Sequence, residues 1–177
     1  FAIDPISGLI TVAQSAPLDF EGTPTSYSLT VTVTDDNGAG LTGTGTVSIT
    51  VTNVNEAPSV ANQAFSIAEN SGVGSPVGTV LRTDPDTAPP AFVSTAWSIL
   101  SGDPAGVFTI NASSGAISVV KPSGLDFEAF PNVYTLTVAV TDNNGSGLSG
   151  MGLVTITVTN VNEAPNIANQ AFNIAEN

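Results

Sequence analysis

Asn53-Val54-Asn55-Glu56-Ala57-Pro58 returns unchanged as Asn160-Val161-Asn162-Glu163-Ala164-Pro165, displaced by 107 residues. The displacement holds outward from this segment without a gap. Asp19-Phe20-Glu21 recurs as Asp126-Phe127-Glu128, and Phe1, Ile3, Gly8 and Ile10 recur as Phe108, Ile110, Gly115 and Ile117. On the other side Asn62-Gln63-Ala64-Phe65 recurs as Asn169-Gln170-Ala171-Phe172. Self-similarity at domain length marks a modular array rather than one catalytic body.

The repeat sets the frame. Residues 1–58 read as the C-terminal half of one repeat, 59–164 as a complete repeat, and 165–177 as the first strand of a following repeat. The front half has no counterpart of Ser59–Val107, so it is not expected to close a sandwich alone. A free tail at one end and a missing first strand at the other predict head-to-tail self-association between copies.

Strands follow from period-two alternation. Tyr27, Leu29, Val31 and Val33 alternate with Ser28, Thr30, Thr32 and Thr34. Val47, Ile49 and Val51 alternate with Ser48, Thr50 and Thr52, and the second copy repeats the pattern in Tyr134–Val140 and Val154–Val158. One face is thereby buried and the other wet. Phe65 and Ile67 open the complete repeat in the same way, and Trp97-Ser98-Ile99 supplies a further strand. Asp4–Gly8, Asn111–Gly115, Asn37-Gly38 and Asn144-Gly145 read as turns. The fold class is all-β: about seven short strands per repeat make a β-sandwich.

Composition narrows the chemistry. The chain has 177 residues with 15 acids against two bases, Arg82 and Lys121, for a net charge of −13. Such a surface repels nucleic acid and anionic membranes. With neither Cys nor His, the chain has no disulfide, no thiol nucleophile and no imidazole base or soft-metal ligand. No apolar run reaches the roughly 18 residues of a membrane span.

The acids are patterned. Asp84-Pro85-Asp86 sets two carboxylates on one side of an extended segment stiffened by proline, and Asp19-Phe20-Glu21 does the same with Phe20 free to turn inward. Clustered like charges oppose folding unless something neutralises them. Calcium does so with six to eight oxygens from carboxylates, amides and backbone carbonyls. The bland alternatives are acidic turns that confer solubility, and Asx turns capped by Asn53 and Asn55. Recurrence in register around a proline-closed linker favours the cation.

With these motifs the chain resembles the cadherin repeat family, in its bacterial cadherin-like form. Glu69-Asn70 matches the Glu-Asn that ends the family's first strand, and Asp84-Pro85-Asp86 its Asp-x-Asp. Leu18-Asp19-Phe20-Glu21 and Leu125-Asp126-Phe127-Glu128 match its Leu-Asp-x-Glu, and Thr34-Asp35 and Thr141-Asp142 the Asp after the next strand. The linker is matched loosely: Asn53, Glu56 and Ala57 stand where the family has Asp, Asp and Asn, and Thr87–Pro90 offers no clear equivalent of a further Asn. The resemblance implies tandem Greek-key, immunoglobulin-like sandwiches with calcium ions at the junctions. Residue by residue it implies one ion pair on Asp19, Glu21, the Val54 carbonyl and Glu56, with Asp86 bridging. A further ion falls to Asn55, the Ala57 carbonyl, Asp84, Asp86 and Asp142, beside Asn53. At the next junction it implies Glu69, Asp126, Glu128, the Val161 carbonyl and Glu163.

The expected function is a calcium-rigidified extracellular repeat, an adhesive or spacer module of a cell-surface, membrane-associated or secreted protein, bacterial in source. Its partners are calcium ions, adjacent repeats or another cell-surface protein. The alternative is a carbohydrate- or partner-binding module of a secreted polysaccharide-active protein, which calls for an exposed aromatic platform. Trp97, at a strand position beside Ile99, reads rather as core. No enzyme is expected: the acid pairs recur in each repeat beside a linker, and no His or Cys base accompanies them.

Overall fold

The structure is a computed structural model, and it describes every residue except 15–17, 36–39, 87–91, 93–94, 130 and 143–146. The expected turns Asn37-Gly38 and Asn144-Gly145 and the Thr87–Pro90 segment lie outside the described residues. Two compact units form. The first comprises Phe1–Ser59, Arg82–Ala96 and Val140–Gly150; the second comprises Val60–Leu81, Trp97–Ala139 and Met151–Asn177.

Eleven strands are present among the described residues: β1 (Ala2–Ile3), β2 (Ile10–Thr11), β3 (Ser26–Thr34), β4 (Thr42–Thr50), β5 (Gln63–Ala68), β6 (Pro76–Thr79), β7 (Ala96–Ser101), β8 (Phe108–Ile110), β9 (Ala116–Val119), β10 (Val133–Thr141) and β11 (Ser149–Thr159). The last seven lie within residues 59–164, in keeping with the expected strand number; the alternation located β5, β7, β10 and β11, while the short β6, β8 and β9 carry too few residues to show it. They form a four-stranded sheet in the order β5-β11-β10-β7 and a three-stranded sheet in the order β6-β9-β8. This is the Greek-key sandwich expected from the sequence. β5 joins β11 in parallel, Gln63 facing Val154 through Ala68 facing Thr159. That pairing closes the repeat through its first and last strands.

The core of the second unit is built from the inward side of these strands together with Val80, just past β6, and Leu125, before β10. Val80, Trp97, Ile117, Val119, Leu125, Leu136, Val138, Val154, Ile156 and Val158 are all buried. Phe108 and Tyr134 pack edge to face with ring centres 5.1 Å apart. Gly102 has φ +92°, and a Cβ there would fall 1.9 Å from the Thr135 carbonyl oxygen, so both the backbone angle and the close approach require glycine.

The first unit repeats part of this plan. β1 pairs with β2, and β3 pairs with β4 from Ser26 facing Thr50 to Thr34 facing Thr42. Phe1 meets Tyr27 edge to face at 5.1 Å, copying Phe108 and Tyr134. Yet Tyr27 and Leu29 are only half-buried, and Phe1 and Val33 are exposed. A groove of about 340 Å³ opens between Phe1, Val12, Leu18 and Tyr27. Sequence identity with a sandwich strand fixes the pairing partner but not the burial.

Residues 165–177 copy the opening of the complete repeat in sequence but not in pairing. They are exposed and carry no strand, with Phe172 86% and Ile174 97% exposed. The reason lies in the topology: β5 is held by β11, a strand that follows it in the chain, and no such strand follows Gln170–Ala175 within these residues.

Candidate metal centre

Three segments of the first unit converge around the linker. In the bend before β3, the Asp19 Oδ1 accepts the N–H groups of Glu21 at 3.0 Å and Gly22 at 3.2 Å. This Asx turn fixes the direction of Glu21. The linker passes alongside, and a pocket of about 150 Å³ is lined by Asp19, Glu21, Val54 and Glu56 over Leu18 and Phe20. Phe20 is half-buried, in keeping with an anchoring role. The third segment brings Asp86, which is 3% exposed and accepts the Glu56 N–H on Oδ2 at 2.8 Å. Carboxylate oxygens of Glu21, Glu56 and Asp86 then lie within 4.8 Å of one another.

Among the described residues, Glu21 Oε1, Asn55 Oδ1 and Asp86 Oδ1 are buried here without a hydrogen-bond partner. Burying an acceptor unpaired costs free energy, more so for a charged one. The Glu56 carboxyl is held above its ordinary value, first by loss of solvation and then by repulsion from Glu21, Asp86, Asp19 and Asp84. All of this points the same way. The site gathers negative charge and open oxygen lone pairs and provides no nitrogen or sulfur ligand from His or Cys. It fits a hard divalent cation.

The remaining expected ligands are placed differently. Asp142 is fully buried, and both its oxygens are taken: Oδ1 by the Leu148 N–H at 2.7 Å and Oδ2 by the Asn55 Nδ2 at 2.9 Å. Asp84 turns to the Arg82 guanidinium on Oδ2 and accepts the Asp86 N–H on Oδ1 at 3.2 Å. Asn53 is half-buried, while Val54 and Ala57 are exposed. The linker thus resolves into a carboxylate trio and, beside it, a set already engaged with protein donors.

A second cluster forms in the second unit, at the end of β5. Glu69 is 3% exposed, accepts the Phe127 N–H on Oε2 at 2.9 Å and accepts the Val161 N–H on Oε1 at 2.6 Å. Those two backbone donors hold its carboxyl below the ordinary glutamate value. Asp126 Oδ1 accepts the N–H groups of Glu128 and Ala129, each at 3.1 Å, repeating the Asp19 turn. Oxygens of Glu69, Asp126 and Glu128 again lie within 4.8 Å of one another. Loss of solvation, followed by repulsion from Glu69 and Glu163, raises the Glu128 carboxyl.

Two asparagines complete this cluster that the motifs alone did not assign. Asn160 Nδ2 donates to Glu128 Oε1 at 2.8 Å, and Asn70 Nδ2 donates to Glu163 Oε1 at 2.7 Å. Asn70 sits at φ +60°, a left-handed angle that asparagine tolerates. Arg82 was also missed as a site residue. The signal was present in Arg82-Thr83-Asp84, since side chains two apart in extended chain share a side.

A family model described as the cadherin domain matches residues 1–52 and 63–159. Protocadherin Fat 4 of Homo sapiens is 33% identical over 187 aligned residues, which cover 96% of this chain and 4% of that protein. Cadherin-1 of Gallus gallus is 42% identical over 106 residues, covering 55% of this chain and 11% of that protein. Among solved structures, mouse Cadherin-23 EC22-24 superposes with a TM-score of 0.71 at 28% identity, over 91% of this chain and 50% of that one. The chain therefore spans a small part of the curated relatives it matches.

Proposed function

The chain belongs to the cadherin-domain family, and from that premise we propose that it is a calcium-rigidified extracellular repeat, serving adhesion or spacing in a cell-surface or secreted protein. The observation that carries this is the trio Glu21, Glu56 and Asp86, with buried, unpartnered oxygens on Glu21 and Asp86. Calcium would be held there with Asp19 and the Val54 carbonyl, and beside it by Asn55, the Ala57 carbonyl, Asp84, Asp86 and Asp142. At the second cluster Glu69, Asp126, Glu128, the Val161 carbonyl and Glu163 would hold it. When bound, calcium supplies the positive charge that these carboxylates lack.

The chain's own residues do the rest. Asp19 fixes Glu21, and Asp86 grips the linker backbone at Glu56. Three segments distant in sequence thus meet at one point, and a cation shared among them resists their separation. The reading is non-catalytic. A polysaccharide partner gains no support, because Trp97 is buried and offers no platform. The relatives named above are vertebrate proteins, so the bacterial source implied by the resemblance gains none either.

Melting in calcium and in chelator tests the proposal. At calcium one hundred times its dissociation constant, one site adds about 2.7 kcal/mol. For a chain of this size that corresponds to a rise of roughly 5–10 °C. Limited proteolysis should show Asn53–Pro58 protected in calcium and cut in chelator. An unchanged melting temperature with an equally labile linker would remove this function.

The partners include a second copy of this polypeptide. β4 pairs with β3 alone among the described residues, whereas its copy β11 also carries β5. Transferring the observed register places Gln170 opposite Val47 and Phe172 opposite Ile49, with the tail supplied by another molecule. Sedimentation should show concentration-dependent association that deletion of residues 166–177 abolishes. A monomer at all concentrations rules out this pairing.

A further inference from the structure

Arg82 and Asp84 form the ion pair at the linker, and the arrangement bears on which cation sites there can fill. The Asp84 side chain is 4% exposed and that of Arg82 20%. Both Asp84 oxygens are committed, one to the guanidinium and the other to the Asp86 N–H. Asn55 Oδ1 and Asp86 Oδ1, which would join Asp84 around a cation, are buried without partners. The open oxygens lie on Asn55 and Asp86, whereas Asp84 is held by Arg82 and the Asp86 N–H, and Asp142 by Asn55 and Leu148.

We propose that Arg82 is a built-in counter-charge that competes with a cation for Asp84, weakening the site formed by Asn55, Asp84, Asp86 and Asp142 while leaving the Glu21–Glu56–Asp86 site intact. This rests on the calcium reading above and specifies how the chain regulates that site. A guanidinium and a divalent ion cannot share one carboxylate at close range without mutual repulsion. The ion must therefore displace the guanidinium, which holds Asp84 by a charge-assisted hydrogen bond.

The charge balance agrees. Asp19, Glu21, Glu56, Asp84, Asp86 and Asp142 contribute six negative charges to the linker, and Arg82 contributes one positive. Two divalent ions together with Arg82 leave one excess negative charge, and three leave one excess positive charge, which withdrawal of the arginine removes. Lys121, the chain's other base, donates to the Ala105 carbonyl at 3.2 Å in the second unit and does not enter this balance.

Calcium titration by calorimetry on the 177-residue chain, with bound ion counted after equilibrium dialysis, provides the test. Arg82→Ala should tighten the weakest site by about tenfold or more, or add one ion per chain. Arg82→Lys keeps the charge but loses the fork, so its gain should be smaller; it carries the same test if the alanine variant does not fold. Asp84→Asn placed in the Arg82→Ala background should cancel the gain. Wild-type affinity and ion count in both arginine variants, or a gain that survives Asp84→Asn, overturns the inference while the calcium reading stands. No calcium bound by any variant or by wild type overturns both together.

Discussion

Leu136→Ala lowers stability by about 2–5 kcal/mol, while Leu29→Ala lowers it far less, although the two leucines occupy copied positions in copied strands. Leu136 is 0% exposed on β10, which lies between β11 and β7. Removing its side chain leaves a cavity in a closed core, so lost transfer energy and lost packing add. Leu29 is half-buried on β3, which among the described residues pairs with β4 alone, and its side chain borders a groove of about 210 Å³. Truncation there enlarges a space that is already open. Denaturant titration followed by Trp97 fluorescence reads the loss at Leu136, and circular dichroism reads both. The transitions are to be treated separately, because a chain of two units need not unfold in one step. Equal losses at the two leucines would mean that β3 is as thoroughly covered in solution as β10.

Asp86→Ala abolishes most of the calcium-dependent stabilisation assigned to the linker, about 2.7 kcal/mol at a hundredfold excess over the dissociation constant, yet changes the calcium-free protein little. The asymmetry follows from opposed effects. Without cation, the substitution loses the hydrogen bond to the Glu56 N–H but also removes a charge that repels Glu56. With cation, the same substitution deletes a buried ligand whose Oδ1 faces the site without another partner. Asp84→Ala has a smaller effect on calcium binding than Asp86→Ala, because Asp84 is already committed to Arg82. Melting curves of wild type and both variants, each with calcium and with chelator, decide the point. A calcium response that Asp86→Ala leaves whole would take Asp86 out of the site.

The candidate ligands were legible to different depths. Glu21, Glu56 and Asp86 were expected together and are found together, as are Glu69, Asp126 and Glu128. Their placement follows from local features visible in the chain: an Asx turn in Asp19-Phe20-Glu21 and its copy, and a proline between two aspartates. Asp142 was expected at the linker and is there, but its oxygens are spent on Asn55 and Leu148. Which donor a carboxylate faces depends on rotamer and on backbone brought from elsewhere, and the motif specifies neither. The same holds for Asn70 and Asn160, whose partners Glu163 and Glu128 lie far off in sequence.

By itself the sequence determined the all-β class, the internal repeat, the alternating strands β3, β4, β5, β7, β10 and β11 and the residue types able to hold a cation. These depend on period-two alternation and local turn chemistry, which are properties of neighbours in the chain. Tertiary structure alone decided which copies are buried. Phe65 and Phe172, or Leu136 and Leu29, have closely similar local sequence and different exposure because burial depends on strands supplied from far along the chain. It also decided that Asp84 meets a guanidinium while Asp86 keeps an open oxygen. That difference arises from the three-dimensional balance of desolvation against available donors, to which a one-dimensional pattern of carboxylates is blind.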